Sequence, residues 1–142
     1  MADKDVAKQL AQAWMESAPG PVGGREQGGF VVDAAGNLAV VRWPAGETRS
    51  ISFIPPHVGC RLAQDPIVAS FHTHPNTGPD YRQEPSPRDI RAMHDDMDLK
   101  AAWYVGEFVV ADHSIYLLRL DGEVREMGRR IEFLGGHPTD TF

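Results

Sequence analysis

The run His72-Thr73-His74-Pro75, with Ser86-Pro87-Arg88-Asp89 beginning twelve positions after its second histidine, carries the residue types of a metal centre. Two imidazoles and a carboxylate can hold a zinc ion while its fourth position stays open to water, which is the ligand set of a hydrolytic site. Side chains two apart on a strand emerge on one face, so His72 and His74 form a two-pronged arm while Thr73 faces the other way. Asp89 would be the third ligand. Ser86 and Asp89 also have a plainer reading, as an N-cap hydroxyl and an N3 acid favoured by the helix dipole. Capping alone does not explain why an acid-bearing helix start follows a histidine-bearing strand end across one loop. That order lets a strand and a helix close on a single cation.

A hydrolytic metal needs a base for its water. Glu26, in Arg25-Glu26-Gln27-Gly28-Gly29-Phe30, stands just before a strand and is the upstream candidate. Glu47, on the 44–48 loop, is its rival, and a solvated loop acid is the plain alternative for either.

The elements that must position these groups are legible from hydrophobic period. Val6, Leu10 and Trp14 fall at helical spacing with Lys4, Lys8 and Gln12 elsewhere, which predicts a helix over about 4–17, with Asp3 as a cap. Prolines and glycines at 19–24 end it. Gly28–Val32 reads as a strand, Ala34–Asn37 as a tight turn into a strand at Leu38–Trp43, and Arg49–Ile54 as a third strand stopped by Pro55-Pro56. Ile67–Phe71 reads as a strand buried on both faces that runs straight into the histidines. Residues 75–85 read as a surface loop. The Ser86 helix, with Pro87 at N1, is expected to run to Asp96 or Met97 on Ile90, Met93 and Met97. Ala102–Ala111, Ser114–Leu120 and Glu123–Met127 complete a β-meander, and 135–142 read as a frayed tail. This organisation is α+β in a single domain spanning 1–142, with no internal repeat.

Composition narrows the partners. A chain of 142 residues with 42% hydrophobic content supports one core. A net charge of -6 offers nothing to a phosphate backbone, so nucleic acid is not expected as a partner. One cysteine, Cys60, cannot form an internal disulfide. No run approaches the roughly 18 apolar residues of a membrane span and the amino terminus lacks a Sec-type signal, which predicts a soluble cytoplasmic protein without a membrane partner; export by a specialised system stays open. His57, Cys60, His94, His113 and His137 match no compact ligand spacing, and a thiol nucleophile built on Cys60 and His57 lacks any sign of activation. Trp14, Trp43 and Trp103 read as core or edge aromatics.

Taken together, Glu26, His72-Thr73-His74-Pro75 and Ser86-Pro87-Arg88-Asp89 resemble the pattern of the JAMM/MPN metallopeptidase superfamily, an upstream glutamate followed by His-x-His-Pro and Ser-x-x-Asp. The likeness covers about residues 5–127 and extends especially to small bacterial JAB-like domains. It implies a curved mixed β-sheet flanked by an N-terminal helix and a helix after the His-x-His strand, with cytidine-deaminase-like layering. It also implies that His72, His74 and Asp89 bind zinc, that Glu26 holds and deprotonates the water, and that Ser86 stabilises the oxyanion. The expected reaction is hydrolysis of a peptide or isopeptide bond, in a peptide, a ubiquitin-like tail or a cell-wall crosslink. Two other readings stand beside it: a noncatalytic MPN-like binding module with a protein partner, and the enzymatic domain of a bacterial effector or toxin. The sequence departs from the pattern in one respect. Fourteen residues separate His74 from Asp89, a longer loop than is usual for the family, which leaves Asp80 and Glu84 as rival ligands and could shape a substrate groove with Tyr81 and Arg82.

Overall fold

Residues 4–43, 57–79 and 82–134 are described by the computed structural model of the chain. The helical spacing at the amino terminus forms α1, Lys4–Glu16, which buries Val6, Ala7, Leu10, Ala11, Ala13 and Trp14 and leaves Lys4, Lys8 and Gln12 exposed. Two strands follow, β1 (Gly28–Ala34) and β2 (Asn37–Arg42), paired antiparallel. Ala35 and Gly36 between them have φ of 55° and 90°, the left-handed turn that matches strand twist, and Asp33 accepts the Gly36 N–H at 2.8 Å.

A two-residue strand, β3 (Arg61–Leu62), hairpins onto the long β4 (Asp65–Thr73). β4 is the centre of the fold. It pairs antiparallel with β1 and parallel with β5 (Glu107–Val110), which continues antiparallel into β6 (Ser114–Leu118) and β7 (Val124–Arg129). Among the described residues the result is a mixed seven-stranded open sheet, β2-β1-β4-β5-β6-β7, with β3 off the main path. The parallel β4–β5 step requires a crossover, and α2 (Pro87–His94) lies within it.

Both faces of the sheet are covered, as the apolar Ile67–Phe71 run predicts. On one side Val31, Ala69, Phe71, Val110 and Ile115 pack with α1. On the other, Phe30, Val32, Ile67 and Leu118 pack with Met93 of α2, Leu99 and Tyr104. A register shift opposite Val31 and Val32 lets β4 bury Ile67 on the second side while Ser70 and His72 also face it. The fold is thus α+β in one domain, as expected, with a third helix, α3 (Arg130–Phe133), that the sequence reading lacked.

Three expectations need correction. α2 stops at His94, short of Asp96 or Met97, because Asp96 turns extended and its carboxylate caps a 3-10 turn over Met97–Leu99; Met97 is 72% exposed and Leu99 fills the apolar position instead. The segment 102–106 is irregular where a strand was expected, since Tyr104 turns inward to reach Ser70 and Gly106 adopts φ 143°; β5 begins only at Glu107. The 75–85 loop is not wholly superficial: Pro75, Asn76 and Pro85 are buried, and Thr77 and Gly78 donate to the carbonyls of Gly20 and Pro21. Asp3, Glu47, the Arg49–Ile54 strand with Pro55-Pro56, Asp80, Tyr81, the 135–142 tail and His137 lie outside the described residues. Among the described residues no helix is long and apolar enough to cross a membrane.

Candidate metal centre

His72 is the penultimate residue of β4 and His74 lies just past its end, both on the side of the sheet that α2 covers. Opposite His72 in the neighbouring strand is Gly28, which has no side chain to crowd the ring. Two residues before Gly28, Glu26 comes to the same face. Thr73 holds that segment in place. Its N–H donates to the Gln27 carbonyl at 2.9 Å, and its buried hydroxyl accepts the Gln27 N–H at 3.0 Å. Further back, Gly24 donates to the Asn76 side chain at 2.8 Å, and a Cβ at Gly24 would come within 2.8 Å of Pro75. The His-Pro element and the Glu26 segment are therefore assembled as one unit by backbone groups and a threonine hydroxyl.

From the other side α2 delivers Asp89. Its capping box is complete: Ser86 Oγ accepts the Asp89 N–H at 3.1 Å, and Asp89 Oδ2 accepts the Ser86 N–H at 2.7 Å. The capping role and the ligand role coexist, because the same carboxylate reaches both rings. Asp89 Oδ1 lies 3.4 Å from His72 Nε2, and Oδ2 lies 3.3 Å from His74 Nε2.

The two Nε2 atoms are 3.1 Å apart. Each ring's other nitrogen is already engaged: His72 Nδ1 with Glu107 Oε2 at 2.8 Å, and His74 Nδ1 with the Gln83 carbonyl at 2.9 Å. A carbonyl and a carboxylate accept, so both Nδ1 atoms donate, and in the neutral rings both Nε2 atoms carry lone pairs. Two lone pairs and a carboxylate converging at this range need a cation or an extra proton between them. Zinc bound tetrahedrally at about 2.0–2.1 Å from two nitrogens would hold them roughly 3.3–3.4 Å apart, close to the spacings here. The residues present fit the group. Among the described residues, Glu26, His72 and His74 also form a set whose ligand atoms all lie within 4.8 Å of one another, so Glu26 is in reach of the same ion.

Charge on these groups follows from burial and neighbours. Glu26 is 8% exposed, and its carboxyl is pushed up to about 7 chiefly by burial, with Asp89 and Glu107 adding to the rise against the opposing pull of His72 and Arg88. Burial opposes charge on His72, but Glu107 and Asp89 outweigh it and hold the ring well above its ordinary imidazole range. Burial likewise opposes charge on Asp89, yet hydrogen bonds from His72, His74 and the Ser86 backbone keep it far below the usual carboxylate range. Without a metal, the Glu107 and Asp89 carboxylates thus favour a proton on His72.

Glu26, His72, His74, Asp89 and Ser86, picked out by type and spacing, are brought to one place. Glu84 is not part of it: it is exposed and pairs with Arg82 at 3.7 Å. His57 is bound to Asp96 at 2.7 Å and His94 to Asp95 at 3.3 Å, away from the centre. Cys60 is buried, with its thiol pushed up by burial and directed at the Ile67 carbonyl, which suits a packing residue. Sequence reasoning missed Glu107 and Gln83. An acid at the start of a strand parallel to the histidine strand was the available signal for the first, and a backbone carbonyl leaves no signal for the second. In comparison with known proteins, no family model, no curated protein and no solved structure matches the chain.

Proposed function

We propose that this chain is a zinc-dependent hydrolase of the JAMM/MPN type that cleaves a peptide or isopeptide bond. The observation that carries the reading is the facing pair of Nε2 atoms, each ring tethered at Nδ1, with a carboxylate closing the third side. The layering supports it too, since α1 covers one face of a mixed sheet and α2 the other.

His72, His74 and Asp89 would hold the ion. Once bound, zinc lowers the pKa of a water toward ~7 and polarises a carbonyl oxygen. Glu26 would accept the water's proton at its carboxylate and return it to the leaving amine as the C–N bond breaks, a role that its place within ligand range of both histidines allows. The Ser86 hydroxyl, whose oxygen accepts the Asp89 N–H, still has its own hydrogen to donate to a developing oxyanion. Glu26 lies within ligand range of both histidines, which supports its place at the metal face, and the Glu26→Gln variant decides between catalysis and a purely binding module.

The test is metal analysis followed by cleavage of peptide and isopeptide substrates, including ubiquitin-like tails and cell-wall crosslinks. Wild type is expected to cleave in a zinc-dependent way, Glu26→Gln to bind zinc without cleaving, and His74→Ala to do neither. Wild type that binds zinc and leaves every such bond intact moves the chain to the binding-module reading.

A further inference from the structure

Glu107 is a buried-side carboxylate that the proposed reaction does not use, yet both of its oxygens are engaged. Oε2 takes His72 Nδ1 at 2.8 Å, and Oε1 accepts the Ser70 hydroxyl at 2.9 Å. Ser70 Oγ is in turn 2.5 Å from the Tyr104 hydroxyl, and both Ser70 and Tyr104 are buried. The chain of contacts follows from the strand register. Ser70 and Glu107 are partners across the parallel β4–β5 pair, so their side chains share a face, and His72, two residues on from Ser70, shares it too. Tyr104 reaches this row because residues 101–106 form an irregular turn that buries Tyr104 while Trp103 and Val105 stay exposed.

We propose that Glu107 is a positioning residue for the metal centre: it keeps the His72 proton on Nδ1, and thereby keeps the Nε2 lone pair aimed at the ion, while Ser70 and Tyr104 fix the carboxylate. The proposal rests on the zinc-site reading for its effect on affinity, and on geometry alone for its effect on His72. A ring held by a carboxylate at Nδ1 is a stronger donor at Nε2, and loss of such an outer partner typically weakens metal binding about 10–100-fold. His74 has only a neutral carbonyl in the equivalent position, so the two ligands are unequally supported and His72 is the better held.

Two measurements on the full chain test this. In zinc titrations against a chromophoric chelator, Glu107→Gln, which keeps the size and removes the charge, is expected to bind zinc about 10–100-fold more weakly than wild type. Ser70→Ala, which leaves Glu107 in place with one anchor fewer, is expected to fall between them. In proton–nitrogen NMR of the metal-free protein, wild type is expected to show a downfield, slowly exchanging His72 Nδ1 proton that disappears in Glu107→Ala. Zinc affinity within twofold of wild type in Glu107→Gln, or an unchanged Nδ1 proton in Glu107→Ala, overturns the proposal. Wild type that binds no zinc but shows the proton, lost in Glu107→Ala, removes the metal reading while the positioning of His72 by Glu107 stands.

Discussion

The Nε2 atoms of His72 and His74 face each other at 3.1 Å, although neither ring can turn away, because Glu107 and the Gln83 carbonyl hold their Nδ1 atoms. Such a pair is an unfinished structure without a cation or an extra proton, and the consequences for stability can be measured.

Zinc should stabilise the fold. Binding only to the native state adds about 2.7 kcal/mol when free zinc is 100 times Kd. Thermal melts are expected to shift upward with zinc and back with chelator in wild type, and to ignore both in His74→Ala. A zinc-independent wild-type melting temperature would contradict the metal site.

Glu26 makes the metal-free protein sensitive to pH in a defined direction. Its carboxyl is raised from 4.5 to about 7, so its contribution favours the folded state below about 4.5 and is lost as pH rises through 7. The loss amounts to about 3 kcal/mol at roughly 1.4 kcal/mol per pH unit. Denaturant melts of wild type and Glu26→Gln in chelator isolate it: wild type should decline relative to the variant by up to that amount between pH 4.5 and 8. A constant gap across that range would mean Glu26 is not buried as described.

Thr73, between the two histidines, acts on the opposite face of β4. Thr73→Val removes the acceptor of the buried Gln27 N–H, with an expected cost of about 1–3 kcal/mol. Because that bond also sets the Glu26 segment, cleavage should fall further than folding at a temperature where both proteins are native. Equal activity per folded molecule would separate Thr73 from the site.

What could be read from the sequence divides along physical lines. Periodic positions were reliable where burial enforces them: Val6, Leu10 and Trp14 drew α1, and the apolar Ile67–Phe71 run drew the central strand. The Ser86, Pro87 and Asp89 signals located the start of α2 because capping is a local interaction. The end of α2 was not legible, since Asp96 captures the Asp98 N–H and Leu99, rather than Met97, takes the buried apolar position. Four of the five candidate residues were visible because one strand end carries His72 and His74 and one helix start carries Ser86 and Asp89, while Glu26 stood out only as an acid just ahead of β1. Glu107 was not, since its relation to His72 exists only through the parallel register of β4 and β5. The loop after His74 looked like surface from its prolines, whereas Gln83 anchors it inward, with its side chain on the Asn76 carbonyl at 2.6 Å and its own carbonyl on His74.

Ser86 can be tested for two roles at once. Ser86→Ala should cost about 1 kcal/mol of stability through the lost cap. If the hydroxyl also stabilises the oxyanion, kcat should drop about 100-fold or more with little change in zinc affinity. A kcat within a few-fold of wild type would reduce Ser86 to capping alone.

The most direct test of the central claim is the zinc stoichiometry of the purified full chain, measured by elemental analysis after dialysis against buffered zinc, for wild type and His74→Ala. One zinc per wild-type chain, lost in His74→Ala, is the predicted result. Wild type that retains no zinc above background would contradict the account.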